Sequence, residues 1–225
     1  MADEGAWVAG LDLNQEGLEE TARLVEGHGQ QALSAKVDLQ DHTGVQDEIG
    51  RIIAAWGGVD VLVNAAGGGV VSYFHEMTYE TWISQIDRNL NSVFNATRAV
   101  LPTMLAQQSG RIINISSVAA VRGGRLVRGA TAYAAAKAGV VGLTKALAIE
   151  VAEHGVTVNC LVPGAQDTPG RAKDTPDRRE QLLSQIPTRL LGQPEHLAQA
   201  VVFLAAPEAV NVTGVILPLD GGHSI

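Results

Sequence analysis

The sequence has almost no cysteine. Cys160 stands alone in 225 residues, so no intrachain disulfide can hold the fold. Aromatic residues are scarce at 4%, with three each of Trp, Tyr and Phe. No apolar run approaches the ~18 residues that a membrane helix needs. The first ten residues, MADEGAWVAG, lack the basic flank and apolar stretch of a secretion signal. These absences read as a cytosolic protein without a membrane partner. Positive charge is also in deficit: 16 Lys and Arg face 24 Asp and Glu, for a net charge of −8, which argues against a nucleic-acid partner. The six histidines are scattered, with no HExxH and no Cys/His pair at ligand spacing, so no metal is expected.

What is present is ordinary globular material, 46% hydrophobic and 18% charged, in an amount that suits one domain over residues 1–225. Short β-rich runs alternate with longer helical stretches. Strands are expected at 7–12, 32–38, 59–64, 111–116, 156–162 and 214–219. Helices are expected at 15–26, 42–56, 78–107, 131–153 and 194–205, with loops at 120–130 and 165–178. Strand–helix alternation implies a parallel sheet covered on both faces. The expectation is an α/β, doubly wound, Rossmann-like single domain.

Such folds hold a pyrophosphate at a glycine-rich first turn, with an acidic residue about 20 residues later on the ribose. Asp12 ends the first visible strand, where that acidic residue belongs. Counting back places the glycine turn before residue 1, so the sequence reads as amino-terminally truncated, without the first strand and its turn. Gly27-His28-Gly29-Gln30-Gln31-Ala32 matches G-x-G-x-x-A as text. It follows a helix and precedes a strand, the reverse of what phosphate binding requires, and reads as a helix C-cap and loop.

Tyr133 and Lys137, four apart on an expected helix, share a face. Alone the pair is a weak signal. Its surroundings strengthen it: Ser117, Asn64-Ala65-Ala66-Gly67 and Pro163-Gly164 all lie at carboxyl ends of expected strands, where open α/β sheets bind ligands. With these pieces, Asp12, Val37-Asp38-Leu39, Asn89-Leu90, GRIINISS, YAAAK, VNCLVPG with Thr168, and LDGG, the chain resembles the short-chain dehydrogenase/reductase family, in its carrier-protein ketoreductase-like branch. The likeness covers nearly all 225 residues. The sequence departs from the family in the missing T-G-x-x-x-G-I-G turn, in N-A-A-G for N-N-A-G, and in extra residues between Ser117 and Tyr133.

The resemblance implies hydride transfer between NAD(H) and a secondary alcohol or ketone. In that reading Tyr133 is the general acid/base, its pKa lowered by Lys137 and a nearby nicotinamide cation. Lys137 also holds the nicotinamide ribose, Ser117 bonds the substrate oxygen, and Asn89 holds a water leading from Lys137. Asp12 accepts from the adenosine ribose and, by its charge, favours NAD over NADP. Asp38 meets the adenine edge. Leu39, Asn64, Ala65, Gly67, Pro163 and Gly164 lie along the cofactor, and Thr168 reaches its carboxamide or phosphates.

Arg122, Arg125 and Arg128 fall in one loop, and Arg171, Lys173, Arg178 and Arg179 in or near another. If both flank the cleft, they suit an anionic substrate such as a ring-carboxylate dihydrodiol, an acyl-CoA or an acyl-carrier-protein thioester; the alternative is solvated loop charge. The helices at 78–107 and 131–153 imply a homo-oligomer, dimer or tetramer. The competing reading is a cofactor-incompetent pseudoenzyme or fragment, acting at most as a binding or oligomer subunit.

Overall fold

A computed structural model describes residues 1–123, 127–171 and 173–225. The described strands are β1 (Val8–Asp12), β2 (Ala32–Lys36), β3 (Val61–Asn64), β4 (Gly110–Ile115), β5 (Val156–Pro163) and β6 (Ile216–Leu219). The described α-helices are α1 (Gln15–Gly27), α2 (His42–Trp56), α3 (Tyr79–Ile86), α4 (Ser92–Gln107), α5 (Ala119–Arg122), α6 (Thr131–Val151), α7 (Pro176–Ser184) and α8 (Pro194–Ala205). Every strand pair is parallel, as the alternation of strand and helix predicts.

Local chemistry sets the helix starts. The Asn14 side chain accepts from Gly17 N, Asp41 from Thr43 N, Thr78 from Thr81 N and Thr175 from Arg178 N, each satisfying an N–H that the first turn leaves free. His28 caps α1 and Gly29 takes φ +78°, so the GHGQQA text is the helix end and loop expected of it. Helix α7 begins inside the expected 165–178 loop, at Pro176, and escapes the periodicity reading because its sequence, PDRREQLLS, offers only the adjacent Leu182 and Leu183 as an apolar signal.

The expected helix 78–107 is one continuous rod with a π-turn at Asp87–Asn91 between α3 and α4. The core forms on both faces of β4 and β5. Ile112 and Val158 pack with Val45 and Ile49 of α2 and Val100 and Met104 of α4. Ile113, Ile115 and Leu161 turn to the other face, against Val201 and Leu204 of α8. This is the period-two alternation of strands buried on both sides.

One expectation needs correction. The strands are hydrogen-bonded in two groups, β1-β2 and β3-β4-β5-β6, rather than in one sheet. A cavity of about 1050 Å³ is bordered by β1 on one side and β3 on the other, with Val93, Ala96 and Val100 of α4 in its wall.

Candidate active site

Tyr133 sits in the first turn of α6 with Lys137 one turn on. The Lys137 Nζ lies 5.9 Å from the Tyr133 ring centroid and donates to the Ile115 carbonyl at 2.9 Å. Lys137 is only 3% exposed, and that burial draws its pKa down to about 8. Burial acts on Tyr133 in the opposite sense, pushing the phenol above its ordinary value, while the nearby Ser117 hydroxyl offsets part of the rise. In the chain alone desolvation thus sets the direction for the phenol, and the Ser117 hydrogen bond offsets only part of it; the lowering expected from Lys137 together with a nicotinamide cation concerns the complex.

Ser117 lies two residues past the end of β4, and its Oγ accepts from Ala119 N at 3.2 Å. Its hydroxyl hydrogen is then directed elsewhere. The neighbouring Ser116 Oγ donates to the Lys137 carbonyl at 2.8 Å, tying the strand end to α6.

Asn89, 0% exposed, lies in the π-turn. Its Oδ1 accepts from Gly68 N at 2.9 Å, and its Nδ2 donates to Gly68 O at 3.0 Å and Gln85 O at 2.9 Å. Both amide hydrogens are thus spent on carbonyls, and through its side chain Asn89 clamps the loop after β3. Gln85 extends the clamp by accepting from Val70 N at 3.2 Å. Gly67 has φ +153°, and a Cβ there would stand 2.6 Å from Asn89 Oδ1 and 3.2 Å from Lys137 Nζ, so only glycine lets this loop lie over the lysine.

Beneath the site runs a buried polar chain. Asn64 Nδ2 donates to Thr97 Oγ1 at 3.1 Å and to Asn114 Oδ1 at 2.8 Å. Asn114 Nδ2 donates to Thr144 Oγ1 at 3.0 Å, and that hydroxyl donates to Val140 O at 2.8 Å. The chain joins α4, β3, β4 and α6, fixing β3 relative to the helix that carries Tyr133. Asn64 thus acts structurally through its side chain while its residue borders the cavity.

Asp12, Leu39, Asn64 and Ala65 border the same cavity. Asp12 is exposed at the end of β1, its Oδ1 accepting from Asn14 N at 2.8 Å. Asp38 accepts from Gln40 N at 2.9 Å, closing its own turn. The Leu39 carbonyl accepts from Asn95 Nδ2 at 2.9 Å. Pro163 O accepts from Val118 N at 2.9 Å, placing that strand end beside Ser117. Gly164 is pressed on Asp220, where a Cβ would stand 2.8 Å from the Asp220 Cβ. Thr168 stands apart, exposed, with its carbonyl bonded to Arg171 N.

The arginines behave differently from their count in the sequence. Arg122 donates to the His223 carbonyl. Arg171 and Arg178 both pair with Asp174, at 3.1 and 3.2 Å. Arg179 grips Asp167 with two bonds of 3.1 and 2.6 Å, holding that carboxyl below its usual range. Arg128 is exposed, and Arg125 lies outside the described residues. Of the seven basic residues assigned to the mouth, Arg122, Arg171, Arg178 and Arg179 thus have their guanidinium groups engaged within the protein. The rim instead exposes Val70, Val71, Tyr73 and Phe74, on a segment tied to the start of α6 by Ser72 N donating to Gly129 O at 2.9 Å.

Sequence reading missed Gln85, Asn114, Thr144 and Ser116. Asn114 carried a signal, as a lone amide in an otherwise apolar strand, because such a residue must find partners when buried. Among the described residues, no group of His, Cys, Asp or Glu is placed to hold a metal ion, and no helix is long and apolar enough to cross a membrane.

The comparisons with known proteins meet this geometry. The family described as Enoyl-(Acyl carrier protein) reductase matches residues 1–224. The 3-oxoacyl-[acyl-carrier-protein] reductase FabG of Thermotoga maritima is 38% identical, over 99% of this chain and 89% of its own length. A short-chain dehydrogenase/reductase of Burkholderia xenovorans superposes with a TM-score of 0.91 at 33% identity, over 99% of this chain and 86% of that one. The structure of NAD+-bound xylitol dehydrogenase gives a TM-score of 0.90 at 26% identity, over 98% of this chain and 90% of that one. The family match starts at residue 1, and gives no support to the expected truncation. With the parallel α/β fold and the Tyr133–Lys137 pair in place, these likenesses fix the kinship: the chain belongs to the short-chain dehydrogenase/reductase family, whose members are oxidoreductases.

Proposed function

We propose that the chain interconverts a secondary alcohol and its ketone using NAD(H), with Tyr133 as general acid/base. The observation that carries this is the convergence of one phenol, one hydroxyl and one buried ammonium, from Tyr133, Ser117 and Lys137, at the end of β4. The residues suit a nicotinamide dinucleotide at its two ends. Lys137 keeps two ammonium hydrogens beyond the one spent on Ile115, under a loop that Gly67 leaves without a side chain. Asp12 presents an exposed carboxylate at the end of β1. The nicotinamide supplies or accepts the hydride.

The protein's own part is proton handling and orientation. In reduction the Tyr133 O–H donates to the developing alkoxide, the Ser117 hydroxyl donates to the same oxygen, and the Lys137 charge stabilises the phenolate left behind. Asn89 and Gln85 act as positioning residues through the 67–70 loop. For the substrate, the engaged arginines and the exposed Val70, Val71, Tyr73 and Phe74 favour an apolar body over an anionic one. An NADH-consumption assay with apolar ketones, β-keto esters and acyl thioesters tests the assignment. Turnover of none of them, with nucleotide bound, would overturn it.

Protonation makes the two directions differ. With the phenol held above its ordinary value, reduction proceeds from the form present at neutral pH, so its kcat/KM is flat below pH about 8 and falls above it as Lys137 loses charge. Oxidation needs the phenolate and rises with pH toward the same point. A profile that is identical for both directions would contradict this assignment.

Asp12→Ala is expected to lower kcat/KM with NAD+ about tenfold to a hundredfold, through lost charged hydrogen bonds. It narrows the preference over NADP+ by removing repulsion of a 2′-phosphate. Equal loss with both cofactors would place Asp12 outside the ribose site. The outward side chains Phe94 of α4 and Ile149 of α6, 51% and 83% exposed, suit a homo-oligomer, which sedimentation velocity reads directly.

A second reading, a chain that binds no nucleotide by itself, is favoured by one observation. The cavity between Asp12 and Asn64 runs between two strands rather than ending on a helix N-terminus that would hold phosphate. Calorimetric titration with NAD+ separates the two: heat of binding supports the enzyme, and none with a sharp melt supports the binding subunit.

A further inference from the structure

The π-turn at Asp87–Asn91 serves two sides of the rod formed by α3 and α4. Asn89, wholly buried, turns to Gly68 and the loop over Lys137. Asp87 and Asn91 instead line a separate cavity of about 600 Å³ between the start of α2 and α4. Gln40 and His42 border it on one side, Phe94 and Arg98 on the other. Its volume is that of a small-molecule site. Ser117, Tyr133 and Lys137 do not border it.

Hydrogen bonds fix what this cavity offers. Asn95, buried in its wall, spends both amide hydrogens on the Leu39 and Gln40 carbonyls, at 2.9 and 3.3 Å. Its Oδ1 therefore accepts from His42 Nδ1, at 3.2 Å, which leaves Nε2 of the neutral ring as an acceptor. The same ring stacks on Phe94, with centroids 6.3 Å apart and planes at 23°. Gln40 Nε2 donates to Asp38 Oδ1 at 3.1 Å, which leaves Gln40 Oε1 as a second acceptor. Asp87 Oδ1 accepts from Asn91 Nδ2 at 2.6 Å, and its other oxygen is a third, carrying charge. These acceptors lie along the stretch of the rod from Asp87 to Asn95. Arg98 stands about one helical turn further on, ~5.4 Å along the axis. Its guanidinium forms no ion pair and no hydrogen bond among the described residues.

We propose that this cavity is a second ligand site, for a free α-amino acid with an aromatic or large apolar side chain. A simple anion would satisfy Arg98 but face the Asp87 carboxylate and leave the acceptors unmet. A simple amine would satisfy the acceptors but face the guanidinium. A zwitterion with its two charges a few ångströms apart meets both. Its ammonium donates to His42 Nε2 and Gln40 Oε1 beside the charge of Asp87, its carboxylate accepts from Arg98, and its side chain lies on the Phe94 ring. The inference does not rest on the dehydrogenase reading, because the cavity is separate from Tyr133 and its test needs neither nucleotide nor ketone.

The test is calorimetric titration of the full chain with three probes that share one side chain. Phenylalanine carries both charges, N-acetylphenylalanine only the carboxylate, and phenylalaninamide only the ammonium. Phenylalanine is expected to bind at least about tenfold more tightly than either, since each relative lacks one set of charged hydrogen bonds. Arg98→Gln is expected to weaken phenylalanine about tenfold and leave phenylalaninamide within about twofold. Asp87→Asn is expected to weaken phenylalanine several-fold and leave N-acetylphenylalanine unchanged or tighter. Both substitutions sit outside the core, so the Tm of the free chain is expected to stay within about 2 °C. Three probes of equal affinity would make the cavity a plain apolar hollow and overturn the proposal. N-acetylphenylalanine as tight as phenylalanine would reduce it to an anion contact at Arg98 and overturn it too. So would heat from none of the probes, or heat that follows the splitting of an oligomer in sedimentation velocity, which would mark this face as a contact between copies.

Discussion

Tyr133→Phe is expected to lower kcat about 10²–10⁴-fold in both directions while leaving the fold intact. The ring does the packing: a Cβ on Gly69 would stand 3.3 Å from the Tyr133 ring, so phenylalanine fills the same space. Only the hydroxyl is lost, and with it the one proton that reduction delivers and oxidation removes. Nucleotide affinity, read by fluorescence titration, is expected to stay within about threefold, because the loss falls on the transition state. Ser117→Ala makes the comparison, with a loss of about 10²–10³-fold from one removed donor to the developing oxyanion. Retention of kcat in Tyr133→Phe would assign proton transfer to another group. A matched collapse of kcat and Tm would instead make Tyr133 a packing residue.

Much of the fold is legible in the sequence because strand and helix periods differ so clearly. The helices at 42–56 and 194–205 match in full, since both begin at a capped turn and end at a conformational stop. The π-turn at Asp87–Asn91 has no sequence period of its own. It exists because the Asn89 side chain reaches Gly68, 21 residues earlier, and a contact of that range is written in tertiary geometry. The same limit explains the arginines. Their clustering in two loops is visible in the sequence, but whether a guanidinium faces substrate or a carboxylate such as Asp174 depends on loop paths that local patterns do not specify.

The site divides along a similar line. Ser117, Tyr133 and Lys137 are readable because their chemistry and their places at strand and helix ends coincide. The support below them is less so. The chain Asn64–Asn114–Thr144 crosses from β3 to α6; Asn64 stands out only through its loop motif, and Asn114 only as an amide inside GRIINIS. The direction of the Tyr133 shift in the chain alone has a physical reason that local patterns do not display. The sequence gives the charge of Lys137 but not the burial of the phenol, and burial dominates.

Lys137→Met puts the cost of that arrangement to the test. Burial holds the lysine's pKa at about 8 against an ordinary 10.5. In the folded chain the charged form is therefore destabilised by about 3 kcal/mol at neutral pH. Between pH about 8 and 10 the unfolded chain binds more protons at this residue than the folded one, so stability rises with pH there and the penalty fades. Below pH 8 it is present in full. Methionine fills similar space without charge but loses the bond to the Ile115 carbonyl, worth about 1 kcal/mol. The net expectation at pH 7 is a gain of about 2 kcal/mol, or about 4–8 °C in Tm, together with a fall in kcat of at least about a hundredfold from the lost ammonium. Melts of both proteins from pH 6 to 10 read the distinctive part, a gap that narrows as pH rises through the lysine's range. A gap that stays constant with pH would show that the folded lysine titrates as an ordinary one. A variant less stable at pH 7 would show that the bond to Ile115 outweighs desolvation. The expected pattern would make Lys137 a residue kept for chemistry against stability, as a site that must hold a charge out of water requires.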